Sequence, residues 1–292
     1  MSSTTPAPAA TPATPPPSTL HTRILNAARS SDPSLAKASR ILSSASTLDL
    51  NLMTAQYSLT FLAESIKFIH NKAALARLFA RLSALSTYFD SVTIVSKPGD
   101  ILLPPSQTAL RLRRLTALIS DVRIFNRLWG TITMLKWGSA VLQAPPKDAI
   151  LKLIAYTQVV SNNIYQPLEN IAYLASHDIL PVDKLTVKKL WIFSSRLWAL
   201  HIILEFVRLA REYALSSKSS ASATTSEKLD PELAAERVKA KKLWTRQLIV
   251  TAAYFPLTIH WSLESGIIND WMVGLFGSIA GGVRFFPLWR EG

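Results

Sequence analysis

Leucine, isoleucine and phenylalanine recur three and four positions apart over residues 20–93 and again over residues 106–138, with few glycines or prolines between them. That spacing keeps apolar side chains on one side of a helix of 3.6 residues per turn, so both stretches are predicted to be helical. No stretch shows the apolar/polar alternation of a half-buried strand. The fold class expected is therefore all-α. Breaks fall at Lys97-Pro98-Gly99-Asp100, Pro104-Pro105, Pro145-Pro146 and Pro181, where proline removes a backbone donor and closes a helix. Residues 216–229, rich in Ser, Ala and Thr, read as a flexible linker. Asp230-Pro231 reads as the N-cap and first residue of a charged helix running into Arg246. No fixed-period repeat is present, which disfavours a solenoid. Residues 1–18 are Pro, Ala, Ser and Thr after the initiator Met, with no charge. They are expected to be a disordered tail rather than a secretory signal, because they lack a basic start followed by an apolar run. Residues 20–292 are expected to form one helical domain.

Three later segments approach the length of about 20 apolar residues that a helix needs to cross a bilayer. Residues 190–207 are aromatic-rich but carry Arg196, His201 and Glu205. Ionisable groups at membrane depth are costly unless they face protein or water, so this helix is expected to pack against partners or to sit in the interface. Residues 247–263 have His260 as their one titratable group and Pro256 as an expected kink. Residues 271–283 are uncharged, bounded by Asp270 and Arg284, and short enough for re-entrant insertion. Gly274, Gly277 and Gly281 provide small-residue spacing that admits another helix backbone, expected here to serve self-association. The tryptophans Trp191, Trp198, Trp244, Trp261, Trp271 and Trp289 gather near segment ends, as in headgroup-level belts.

Residues 72–89 have a different character. Projected at about 100° per residue, Leu75, Leu78, Phe79, Leu82, Leu85 and Phe89 fall within a sector of about 120°. Lys72, Arg77 and Arg81 are the only charged groups before Asp90, and the rest of the polar face is Ala, Ser and Thr. Two readings fit. Such a helix covers a protein core, or it lies in the membrane interface with the apolar side chains among acyl chains and the cations at anionic headgroups. The surroundings favour the second, because residues 71–147 hold eleven Lys/Arg against Asp90, Asp100 and Asp121. Arg111, Arg113, Arg114, Arg123 and Arg127 extend a basic surface along the next helix.

Composition agrees with a membrane setting. Charged residues are 17% of the chain against about 25% in a soluble domain, and mean hydropathy is positive. The net charge of +13 attracts polyanions, either nucleic acid or an anionic lipid surface. With no cysteine there is no disulfide framework, thiolate site or thiol nucleophile. The five histidines, His21, His70, His177, His201 and His260, lie on separate blocks, so no metal is expected. No nucleophile elbow, phosphate loop or dinucleotide fingerprint is present, so no cofactor and no enzymatic activity are expected. Glu169 and Glu205 read as satisfied helix residues rather than catalysts. The aromatics lie in apolar runs instead of alternating with cations, which argues against a soluble helical nucleic-acid binder and for no nucleic-acid partner. A channel for small solutes is the other alternative, with Arg196, His201, Glu205 and His260 lining a wet path.

The motif order from Ala149 onward resembles the peroxin-eleven family, peroxisomal membrane proteins that elongate and help divide the organelle. Residues 165–174, YQPLENIAYL, look like that family's central helix; Trp191, Ser195-Arg196-Leu197-Trp198, Leu204-Glu205 and Arg208-Leu209 follow. Arg246-Gln247-Leu248, Pro256-Leu257, His260-Trp261-Ser262, Gly266, Asp270, Gly274 and Gly277 then resemble its C-terminal block. The likeness extends over residues 20–289. The Pro-rich tail and Arg127-Leu128-Trp129-Gly130 resemble the fungal branch. The resemblance implies a peroxisomal membrane location, bilayer remodelling through an inserted amphipathic helix, self-association, and partners in the fission machinery and among other peroxins. By position, residues 72–89 look like that helix, with fewer cations than typical members. Tyr254 stands where an acidic residue often precedes the family's proline.

Overall fold

The computed structural model describes residues 35–39, 42–86, 106–222 and 231–291, with the backbone alone described for residues 74, 75, 78–86, 219–222 and 291. Among the described residues there is no strand, and seven helices have 14 residues or more. They are α1 (Ala45–Ser86), α2 (Gln107–Asn126), α3 (Gly130–Gln143), α4 (Ala149–Ser176), α5 (Lys184–Ser222), α6 (Pro231–Trp261) and α7 (Asp270–Glu291). One 3-10 turn, Arg127–Trp129, joins α2 to α3.

Several helix starts have a local cause. The Ser106 hydroxyl accepts from Ala109 N at 3.4 Å, and Asp148 accepts from Ile150 N and Leu151 N, each at 3.1 Å. Asp183 accepts from Thr186 N at 2.9 Å, and Asn269 from Met272 N at 2.9 Å. Each cap satisfies donors that the first helical turn leaves unpaired. Pro231 opens α6, where its missing N–H costs nothing.

Three boundaries differ from the sequence reading. α5 continues to Ser222, so residues 216–222 of the expected linker are helix. α6 stays one helix through Pro256. α7 runs past Arg284 and Pro287 to Glu291, so the 13-residue segment expected to need flanks belongs to a helix of 22 residues.

The helices close a circuit. α2 packs on α1, α1 on α7, α7 on α6, α6 on α5, α5 on α4 and α4 on α3, which the 3-10 turn ties back to α2. A small apolar cluster of Met53, Val250, Ala253 and Ala280 joins α1, α6 and α7. Elsewhere the interior mixes apolar side chains such as Ile154, Ile202, Leu209 and Leu257 with many polar ones: Arg123, Gln158, Asn162, Gln166, Glu169, Glu205, Thr251 and Thr258 are all buried. Large apolar side chains point outward instead. On α4, Ile150, Leu153, Val160, Ile164 and Ile171 form an exposed stripe, and α5 exposes Leu185, Phe193, Leu200, Ile203 and Val207.

Candidate functional site

A soluble helix of this composition hides its apolar side in a core; here it does not. α5 over Lys184–Lys218 and α7 over Asp270–Arg290 are long and apolar enough to cross a membrane, and only 22% of each apolar window is buried. Contiguous apolar surface of this extent has to be covered by something other than water, and hydrocarbon covers it without leaving polar groups unmet.

The ionisable groups in the apolar part of α5 have partners in the protein. Arg196 Nε donates to the Ser262 carbonyl at 3.2 Å, and His201 Nδ1 lies 2.9 Å from Asn162 Nδ2. Buried Glu205 is held by Arg208 and accepts from Gln158 Nε2 at 3.2 Å and Gln247 Nε2 at 3.1 Å. Glu169 accepts from Arg127 Nη2 and from the Tyr165 hydroxyl, each at 2.9 Å. At the outer end of this polar system the Asp148 carboxyl is held at about 2, below the ordinary carboxylate range, by its hydrogen bond from Arg211 and then by Leu151 N–H.

Inside the circuit lies a cavity of about 830 Å³. α2 presents Arg113, Arg123 and Arg127 to it, with Trp198 of α5 and Trp261 of α6 also in its wall. Arg123 Nε donates to Asp49 at 2.9 Å and its Nη1 to Gln56 at 2.7 Å, while Arg113 Nη2 donates to Asp270 at 2.6 Å. Arg113, Arg123 and Arg127 therefore do not join the basic outer surface expected of this helix; Arg111 and Arg114 remain exposed.

A family model described as peroxisomal biogenesis factor 11 (PEX11) matches residues 101–289. The chain belongs to the PEX11 family. Human peroxisomal membrane protein 11C is similar to it, 23% identical over 197 residues that cover 64% of this chain and 79% of the human one. Its mouse counterpart is 24% identical over 185 residues, 60% of this chain and 74% of the mouse one. An uncharacterised protein of Schizosaccharomyces pombe is 29% identical over 114 residues, 39% of this chain and 47% of that one. No solved structure matches. The family and these relatives make the chain a peroxisomal membrane protein of the PEX11 type, which sets aside the soluble nucleic-acid binder. PEX11 proteins are biogenesis factors rather than enzymes.

The PEX11 match begins at residue 101, so the amphipathic segment at residues 72–89 precedes it. Lys72 and Arg77 are exposed on α1, with Lys72 Nζ 4.6 Å from the centre of the Phe68 ring. Leu75, Leu78, Phe79, Arg81, Leu82 and Leu85 lie on the helical backbone of α1, but their side chains fall outside the described part, and Phe89 lies outside the described residues. The C-terminal glycines face α1 of the same chain. A Cβ on Gly274 would stand 2.5 Å from Phe61 N, one on Gly277 2.1 Å from the Tyr57 ring, and one on Gly281 2.7 Å from Thr54 Oγ1. A close approach is present at these glycines, and within this chain the helix they face is α1.

The sequence reading passed over the acids that meet the α2 arginines, because they lie far away in the chain. It also gave no reason for the PEX11-like pair His260 and Gly266. Ile268 N donates to His260 Nδ1 at 3.2 Å, and a Cβ on Gly266 would stand 1.8 Å from His260 Cε1, so the glycine makes room for the ring that shapes the α6–α7 turn.

Proposed function

We propose that this PEX11 protein bends the peroxisomal membrane, promoting elongation, fission and proliferation of the organelle, by wedging residues 72–89 into one leaflet of an anionic bilayer and by self-associating. It does so without catalysing a covalent reaction. One observation carries the reading: α1 outruns the bundle. Its Glu64 and Ser65 are held by Arg113 and by the Trp271 indole. Beyond them residues 67–69, 71, 72, 76 and 77 are exposed, and the helix still continues to Ser86. A helix that extends past its packing partners, with cations and apolar positions on opposite sides, has the form of an interfacial wedge. Because α1 fills the glycine seam within this chain, we assign self-association to an exposed apolar face such as the stripe of α4. Fission machinery and other peroxins are the partners that the family resemblance implies.

The test is the full chain reconstituted into anionic liposomes and viewed by electron microscopy. Tubules are expected with the unaltered protein and none with Leu78→Glu combined with Leu82→Glu, at unchanged helical content. Equal tubulation by the double variant rejects the wedge.

A second reading, a path for small solutes, is favoured by the polar cavity. Of the four residues expected to line such a path, His201 does so; Arg196, Glu205 and His260 are engaged elsewhere in the packing. Conductance in planar bilayers measures it directly.

A further inference from the structure

The first half of α6 carries an excess of positive charge, five cations against Glu232 and Glu236. Residues 237–246, RVKAKKLWTR, hold Arg237, Lys239, Lys241, Lys242 and Arg246 with no acid among them. None of the five makes an ion pair among the described residues, whereas Arg113, Arg123, Arg127, Arg208 and Arg211 each hold a carboxylate. Arg237, Lys239, Lys241 and Lys242 are exposed.

Next to these cations the α5–α6 surface opens into a notch of about 440 Å³ lined by Phe206, Leu209, Ala210, Tyr213, Trp244 and Leu248. Trp244 fixes its edge: the indole Nε1 donates to the Leu209 carbonyl at 3.0 Å, and the ring stands 5.6 Å from that of Tyr213. Those contacts, with Gln247 bonded to Glu205, show α6 running antiparallel to α5 here. Arg237 lies two turns before Trp244 on the same side of α6, and Lys241 one turn before it. Past Gln247 the helix turns apolar, through Leu248, Ile249 and Val250. The boundary between charged and oily α6 therefore falls within one turn of the Trp244 indole, which stands beside the Tyr213 phenol, side chains of the kind that settle at headgroup depth.

We infer that the α5–α6 notch and the cations of residues 237–246 form a binding site for an anionic phospholipid. One acyl chain lies in the notch, and the headgroup phosphate is held by Arg237 and Lys241, with the positive field of Lys239, Lys242 and Arg246 around it. Charge complementarity selects the headgroup, since unpaired cations beside a membrane-crossing helix draw anionic lipid. The lining selects the chain, since its side chains are apolar or aromatic and α5 is long and apolar enough to cross a bilayer. The site is separate from the α1 wedge and does not depend on it.

The experiment reconstitutes the full protein in equal mixtures of phosphatidylcholine and phosphatidylserine, extracts it in mild detergent, and counts retained lipids by native mass spectrometry. Selective retention of phosphatidylserine is expected, falling about fivefold for each cation removed in Arg237→Gln, Lys241→Gln and Lys242→Gln. Ala210→Trp, which fills the notch and leaves every charge in place, is expected to lower retention as well. Lys184→Gln with Lys189→Gln, exposed at the opposite end of α5 from the notch, is expected to leave it unchanged. Undiminished retention in the triple variant overturns the site, as does an equal loss in this second variant, which would mark a general charge effect. Saturable binding of a soluble oligoglutamate peptide that survives Ala210→Trp would assign the cations to an acidic protein segment and overturn the lipid assignment. Circular dichroism of each variant separates loss of binding from loss of fold.

Discussion

α2 and the first half of α6 are both rich in cations and short of acids, yet the structure treats them oppositely. Arg113, Arg123 and Arg127, on α2 and the turn after it, line the cavity, and each meets a carboxylate from another helix: Asp270 of α7, Asp49 of α1 and Glu169 of α4. On α6, Arg237, Lys239, Lys241, Lys242 and Arg246 meet none among the described residues. Local sequence does not separate the two cases. The difference comes from acids that lie 42 to 157 residues away and are brought to α2 by the circuit of helices. A cation with such a partner can serve as an internal tie, because the pair and its hydrogen bonds offset desolvation. One without a partner stays outside and is left to whatever anion approaches.

The comparison breaks most severely where the α1–α7 seam fails, because that seam holds Asp49 and Asp270 within reach of α2. Gly274→Leu drives a side chain into the Phe61 backbone, which has little freedom to move. It is expected to destabilise the protein by about 3 kcal/mol or more, read as an earlier midpoint in SDS unfolding of the micellar protein followed by circular dichroism. A midpoint within error of the unaltered protein would show that α1 does not pack as described. Removal of one acid comes next. Glu169→Ala strands Arg127, and because Arg127 keeps 35% of its side chain accessible in the cavity, the penalty is discounted to about 2 kcal/mol. Glu169→Leu with Arg127→Met is expected to recover most of that loss in the same titration. If the double variant is as unstable as Glu169→Ala, the stranded charge is not the cause.

Much of this architecture is legible in the sequence, and what is not has a common physical reason. Helix class follows from spacing, and the starts at Ser106, Asp148 and Pro231 follow from capping chemistry, because these are contacts within four residues. The small-residue spacing of Gly274, Gly277 and Gly281 announces a close approach. That α1 fills it is a fact about residues roughly 200 positions earlier, on which local periodicity is silent. The end of α7 is not legible because Arg284 resembles a stop; its guanidinium lies 3.5 Å from the Tyr254 hydroxyl at the cavity wall, and the helix continues past it. Gly130 was legible only through family likeness. Its lack of a Cβ leaves room for the Gln166 amide, which would stand 2.8 Å from one and which donates to the Arg127 carbonyl at the turn between α2 and α3.

The Asp148–Arg211 pair lies between the two extremes and gives the smallest expected effect. It joins the start of α4 to α5 at 2.7 Å, with side chains 19% and 30% exposed, so it is paired like the α2 arginines and partly wetted. Folding lowers the Asp148 carboxyl to about 2 from an ordinary 3.8. A lowered acid contributes its stability in full above the unfolded value and loses it as pH falls toward the folded one. Asp148→Asn keeps an oxygen to cap α4 but removes the charge facing Arg211. The variant is therefore expected to unfold slightly earlier than the unaltered protein at pH 7, with a gap that narrows below about pH 4 and closes near pH 2. The observable is the difference between the two midpoints across that range, which removes the titration of every other group from the comparison. A gap that stays constant down to pH 2 would mean the cap, rather than the ion pair, carries the contribution, and that Arg211 belongs with the unanswered cations of α6.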